Sequence, residues 1–126
     1  LYRTPRVPTI DRIHYEEVVK GMRAAVTGGT CRTAGYIFPD GEICGKTGTA
    51  QNRGHDHSVF MGFAPMNNPK IAIAVYVENG GFGATYGVPI GALMMEQYLN
   101  GKLSPASEVK ATEFGDRIIM YGNEER

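Results

Sequence analysis

Lys46, Thr47, Gly48 and Thr49 place a cation, two hydroxyls and a bare backbone position on four consecutive residues of Gly45-Lys46-Thr47-Gly48-Thr49-Ala50-Gln51. That set suits carboxylate recognition, because a carboxylate binds most strongly to charged and hydroxyl donors. If the segment is a strand, Lys46 and Gly48 share one face while Thr47 and Thr49 share the other. The two hydroxyls then converge. Gly48 lets a ligand or another backbone approach closely, and the β-branched threonines favour extended backbone around it.

Such a strand needs elements to hold it. Pro5 and Pro8 make residues 1–10 an extended lead-in, ending where Asp11 can cap a helix. From 12 to 27, Ile13, Val18, Val19, Met22 and Val26 recur at helical spacing, and Gly28-Gly29 stops the run. Residues 30–42 read as a connector whose Pro39-Asp40-Gly41 turn delivers the chain to a strand near Ile43. A polar loop follows from Gln51 to Asp56. Strands are then predicted over 58–64 and 70–78, separated by the turn Pro65-Met66-Asn67-Asn68-Pro69, which makes an antiparallel meander. After the glycine-containing loop from Asn79 to Gly87, a helix over 88–99 is apolar on most sides and predicted to be broadly buried. Residues 104–126 show little periodicity and read as a loose tail after a domain of residues 1–103, with Ile118 to Tyr121 apolar enough to dock.

Bulk properties remove several functions. The 126 residues suffice for one modest domain that buries roughly two thirds of its unfolded surface. Thirteen basic residues balance thirteen acidic ones, so no global field recruits nucleic acid or an anionic membrane. No apolar run reaches about 18 residues, and Leu1 to Pro8 lack a signal-peptide core. The first residue is not methionine, which suggests a processed or excised piece of a longer polypeptide.

Other candidate chemistries are weaker. A phosphate-binding loop needs G-x-x-x-x-G-K-[ST], but Asp40 stands at the upstream glycine position and no helix is predicted after Thr47. His55-Asp56-His57 has two imidazoles and a carboxylate, yet no further ligand cluster accompanies them, and a polar strand entry is the simpler reading; no metal is assigned. Cys31 and Cys44 lack paired C-x-x-C spacing and read as small buried thiols, with a disulfide as the alternative.

The motif sits in an ordered series: a helix carrying Gly21-Met22-Arg23, a turn, Gly45 to Gln51, then His57-Ser58-Val59-Phe60-Met61-Gly62-Phe63-Ala64-Pro65. That series resembles the C-terminal half of the transpeptidase domain of penicillin-binding proteins, a superfamily marked by S-x-x-K, S-D-N and K-T-G. The likeness runs through Asn79-Gly80-Gly81 and Val88-Pro89-Ile90, covers roughly residues 11–100, and is strongest to the class B, elongation-type group of penicillin-binding protein 2.

The resemblance implies an α+β fold, an antiparallel sheet of about three strands with the N- and C-terminal helices packed on one face. It implies a peptidoglycan D,D-transpeptidase that acylates a serine with a stem peptide, releases D-alanine and transfers the acyl group to a second stem's amine. Lys46 would set positive charge beside the substrate carboxylate, Thr47 and Thr49 would hydrogen-bond it, Gly48 would permit close approach, and the Thr49 N–H would be an oxyanion donor. Implied partners are stem peptides, β-lactams and the cell-wall elongation machinery, on the periplasmic side of the inner membrane, with no cofactor.

One departure matters. No S-x-x-K or S-x-N precedes Lys46, and residues 1–57 contain no serine. Ser107-Glu108-Val109-Lys110 fits S-x-x-K formally but follows K-T-G, reversing the family order, and is read as coincidence. The chain is therefore predicted to be a C-terminal portion without its nucleophile, inactive alone, and exposing an apolar face through which it could dimerise. The alternative is a non-catalytic binding module on the same fold.

Overall fold

The computed structural model describes residues 3–121. Along the chain come α1 (Arg12–Thr27), α2 (Arg32–Ile37), a 3-10 turn (Pro39–Gly41), β1 (Cys44–Ala50), β2 (His57–Ala64), β3 (Ile71–Val77), α3 (Gly87–Asn100) and α4 (Pro105–Asp116). The strands form one antiparallel sheet in the order β1-β2-β3, as the alternation predicts. Phe60 of β2 lies opposite Thr47 of β1 and Val75 of β3. These three residues therefore share the sheet face that the helices cover.

Phe60 centres the core. It is fully buried, and a Cβ added at Gly45, Gly62, Gly87 or Gly91 would fall within 2.5–3.0 Å of it. Four glycines from three elements thus form a cradle for one ring, letting α3 lie close on the sheet. Val88, Ala92 and Met95 of α3 complete the packing with Val26 of α1 and Ala34 of α2. The broad burial predicted for α3 holds for these residues, although Met94 and Tyr98 are exposed.

The apolar period of α1 is helical as expected, but its burial is not uniform. Val26 is buried, whereas Ile13 and Val18 are exposed. Asp11 occupies the cap position without a side-chain cap bond.

Two expectations are corrected. The connector at 30–42 contains a helix, α2, and just before it Gly29 lies so close to Ala25 that a Cβ would fall 2.8 Å from its Cα. The Cys31 N–H then donates to Ala25 O at 2.9 Å, and Cys31 and Ala34 become fully buried. Tertiary packing outweighs a weak local preference here. The loose tail predicted at 104–126 contains α4 instead. Ser104 caps it by accepting from the Ser107 N–H at 3.3 Å, and Pro105 opens the first turn. Phe114 then packs edge-on to Tyr86, with centroids 6.1 Å apart. The docking of Ile118 to Tyr121 is seen at Tyr121, whose ring stacks on His55 and whose hydroxyl donates to Asn79 O. The charged finish Glu124-Glu125-Arg126 lies outside the described residues.

A candidate substrate-binding strand

β1 is an edge of the sheet among the described residues, paired on one side with β2. Its entry is anchored by Arg23 of α1, whose guanidinium donates to Ile43 O at 2.8 Å. Glu42, just before, takes a left-handed conformation with φ 47°. Gly41 lies in the expected turn, where a Cβ would fall 2.3 Å from the Phe38 ring.

The register sets each motif side chain. Lys46 and Gly48 lie opposite Met61 and Val59, whereas Thr47 and Thr49 lie opposite Phe60 and Ser58. Lys46 and Thr49 are exposed, and Thr47 and Gly48 are half-buried. The Lys46 ammonium folds back to donate to Thr47 O at 2.7 Å, so the cation rests along the strand itself. The close approach predicted for Gly48 is made by Gly83, where a Cβ would meet Gly48 O at 2.6 Å and Val59 O at 2.4 Å. The loop between β3 and α3 therefore lies directly on the strand.

One residue that the sequence left unassigned joins this site. Thr30, after α1, has its hydroxyl oxygen 2.9 Å from that of Thr47. Beside it, burial pushes the Cys31 thiol up from its ordinary value, while hydrogen bonding to Thr30, the Lys46 charge and a Thr47 backbone contact oppose the shift. Cys44 is raised chiefly by burial too, with Arg23 acting against it and Glu42 adding to it. Both cysteines are free thiols. No local pattern announces the Thr30 contact, since it depends on how α1 ends over β1.

The other candidates have structural partners. His57 Nδ1 accepts from the Asn79 N–H at 2.9 Å, and the His55 ring stacks on Tyr121 at 3.9 Å. Asp56 O accepts from the Gly81 N–H at 2.8 Å. Among the described residues no group of three or more His, Cys, Asp or Glu side chains converges. Ser107 lies on α4 rather than in a solvated tail; it is buried, with its hydroxyl bonded to that of Ser104 at 3.0 Å. Lys110 instead faces Glu113 at 3.7 Å.

The family model of the penicillin binding protein transpeptidase domain matches residues 3–99. The chain belongs to this family. Among curated relatives, the peptidoglycan D,D-transpeptidase MrdA of Haemophilus influenzae is 32% identical over 118 residues, covering 79% of this chain and 17% of that protein. PbpA of Mycobacterium tuberculosis is 39% identical over 76 residues, covering 52% of this chain and 15% of the relative. Among solved structures, Pseudomonas aeruginosa PBP2 aligns with a TM-score of 0.68 and 41% identity over 81% of this chain and 23% of that one. Penicillin-binding protein A of M. tuberculosis, solved as an imipenem acyl-enzyme, aligns with a TM-score of 0.62 and 29% identity over 75% of this chain and 21% of that one. The chain thus spans less than a fifth of the length of these curated relatives, and it has the α+β architecture of a PBP2-like transpeptidase domain.

Proposed function

We propose that this chain supplies the carboxylate-binding wall of a peptidoglycan D,D-transpeptidase whose nucleophilic serine lies elsewhere in a longer protein. The observation that carries the reading is the open edge of β1, which presents an exposed Lys46 beside Thr47 and Thr49 within a family-matched segment. On this reading Lys46 provides positive charge for the terminal carboxylate of a stem peptide or β-lactam, and the Thr47 and Thr49 hydroxyls donate to it. Charge-assisted bonds of this kind are about twice as strong as neutral ones. The Thr49 N–H contributes to the oxyanion hole, where loss of a donor costs on the order of 3 kcal/mol in other acyl-transfer enzymes.

The face opposite the helices bears Lys46 together with exposed Met61 and Tyr76. In the longer protein this face meets the part of the domain that carries the nucleophile; in the isolated chain it supports dimerisation. The intact protein works at the periplasmic side of the inner membrane with the elongation machinery. Among the described residues no helix is long and apolar enough to cross a membrane. Residues 1–103 form the transpeptidase portion, and 104–126 are an appendage to it.

Labelled penicillin tests the reading. The full-length protein should form a covalent adduct at a serine outside this chain, and the isolated chain should form none. An adduct mapped to Ser107 or Ser58 would overturn it, while a full-length protein inert to penicillin would favour a non-catalytic module. Sedimentation of the isolated chain as a strict monomer at high concentration would remove the dimer.

A further inference from the structure

The Thr30 and Thr47 hydroxyl oxygens are 2.9 Å apart, and we propose that Thr30 is a positioning residue that aims the Thr47 hydroxyl at the substrate carboxylate. This inference rests on the carboxylate-binding role of Thr47 given above.

A hydroxyl has one hydrogen to give and two lone pairs to accept with. A carboxylate only accepts, so Thr47 serves it only when its hydrogen is not committed elsewhere. With Thr30 as donor, one Thr47 lone pair is occupied and the hydrogen stays free for the ligand. Chained hydroxyls also polarise one another, which strengthens the outer bond. The competing backbone acceptor nearest in sequence, Thr47 O, already receives the Lys46 ammonium at 2.7 Å.

Thr30 is well placed to hold this geometry. Its neighbours are fixed on both sides: Gly29 packs on Ala25, and the fully buried Cys31 donates its N–H to Ala25 O. The Arg32 N–H closes the turn on Gly29 O at 3.2 Å.

The test compares acylation of the full-length protein by a fluorescent penicillin and by the methyl ester of its carboxylate. Thr30→Val should slow acylation by the acid roughly two- to thirteenfold, the range of one hydrogen bond's net contribution. Thr30→Ser should restore most of the rate. The penalty should vanish with the ester and should not add to that of Thr47→Val. An unchanged acid rate in Thr30→Val would overturn the proposal while leaving Thr47 its role. Equal losses on acid and ester, additive with Thr47→Val, would overturn it in favour of general loosening. If Thr47→Val itself leaves the acid-to-ester rate ratio unchanged, the carboxylate role of Thr47 fails, and the Thr30 proposal fails with it.

Discussion

The Gly87 N–H at the start of α3 donates to Ser58 Oγ at 3.0 Å, joining the last helix of the core to the middle strand. The same hydroxyl donates to Phe82 O at 2.9 Å, so one buried serine holds both the middle and the C-terminal end of the loop that lies on Gly48. Its place opposite Thr49 makes it a tie between the candidate site and the core.

Ser58→Ala should therefore destabilise the protein by about 2 kcal/mol, since it strands the buried Gly87 N–H, whereas the Phe82 carbonyl keeps its bond from the Thr85 N–H. Urea unfolding measures the loss. Hydrogen exchange should quicken at Phe82 to Gly87 more than along β3; uniform quickening would mean that the serine does not tie the loop.

Gly91→Ala sets helix propensity against packing. Alanine favours a helix over glycine by about 1 kcal/mol, yet its Cβ would lie 2.5 Å from the Phe60 ring, and overpacking costs about 1–3 kcal/mol. The buried ring, held by glycines on its other sides, has little room to move, so net destabilisation is expected. In the Phe60→Leu background the same change should cost less. Equal cost in both backgrounds, read from chemical denaturation, would show that the ring is not the obstacle.

Alkaline pH should weaken the fold through Cys31 and Cys44. Burial raises both thiols above the ordinary value of 9.0, so the unfolded chain releases their protons first as pH rises. Above that value the folded state binds more protons than the unfolded state, and stability falls with increasing pH. Their contribution is fully present below about pH 9 and is lost as pH climbs through the raised folded values. Denaturation midpoints between pH 8 and 10.5 should decline less steeply in a Cys31→Ala, Cys44→Ala variant than in the parent.

Lys46→Gln should impair acylation of the full-length protein by penicillin on the order of tenfold to a hundredfold, the range expected for losing a hydrogen bond from a charged donor. The loss should shrink as salt rises, because screening already weakens the parent's charge at an exposed site. A salt-independent loss would assign Lys46 a role other than drawing in the carboxylate.

The sequence by itself determined α1, the three strands and α3, because each carries enough apolar residues at a period of 3.6 or 2 to declare its type. It also determined the faces of Lys46, Thr47, Gly48 and Thr49, which follow from strand alternation. The start of α4 at Ser104 and Pro105 emerged only in the structure, because few apolar residues follow them to show that a helix would dock. Tertiary structure alone decided α2, six residues long and too short to form on propensity. It likewise decided that Gly83 rests on Gly48 and that Thr30 meets Thr47. Those contacts join residues distant along the chain, and no local periodicity encodes where the end of a helix or a loop comes to rest on a strand.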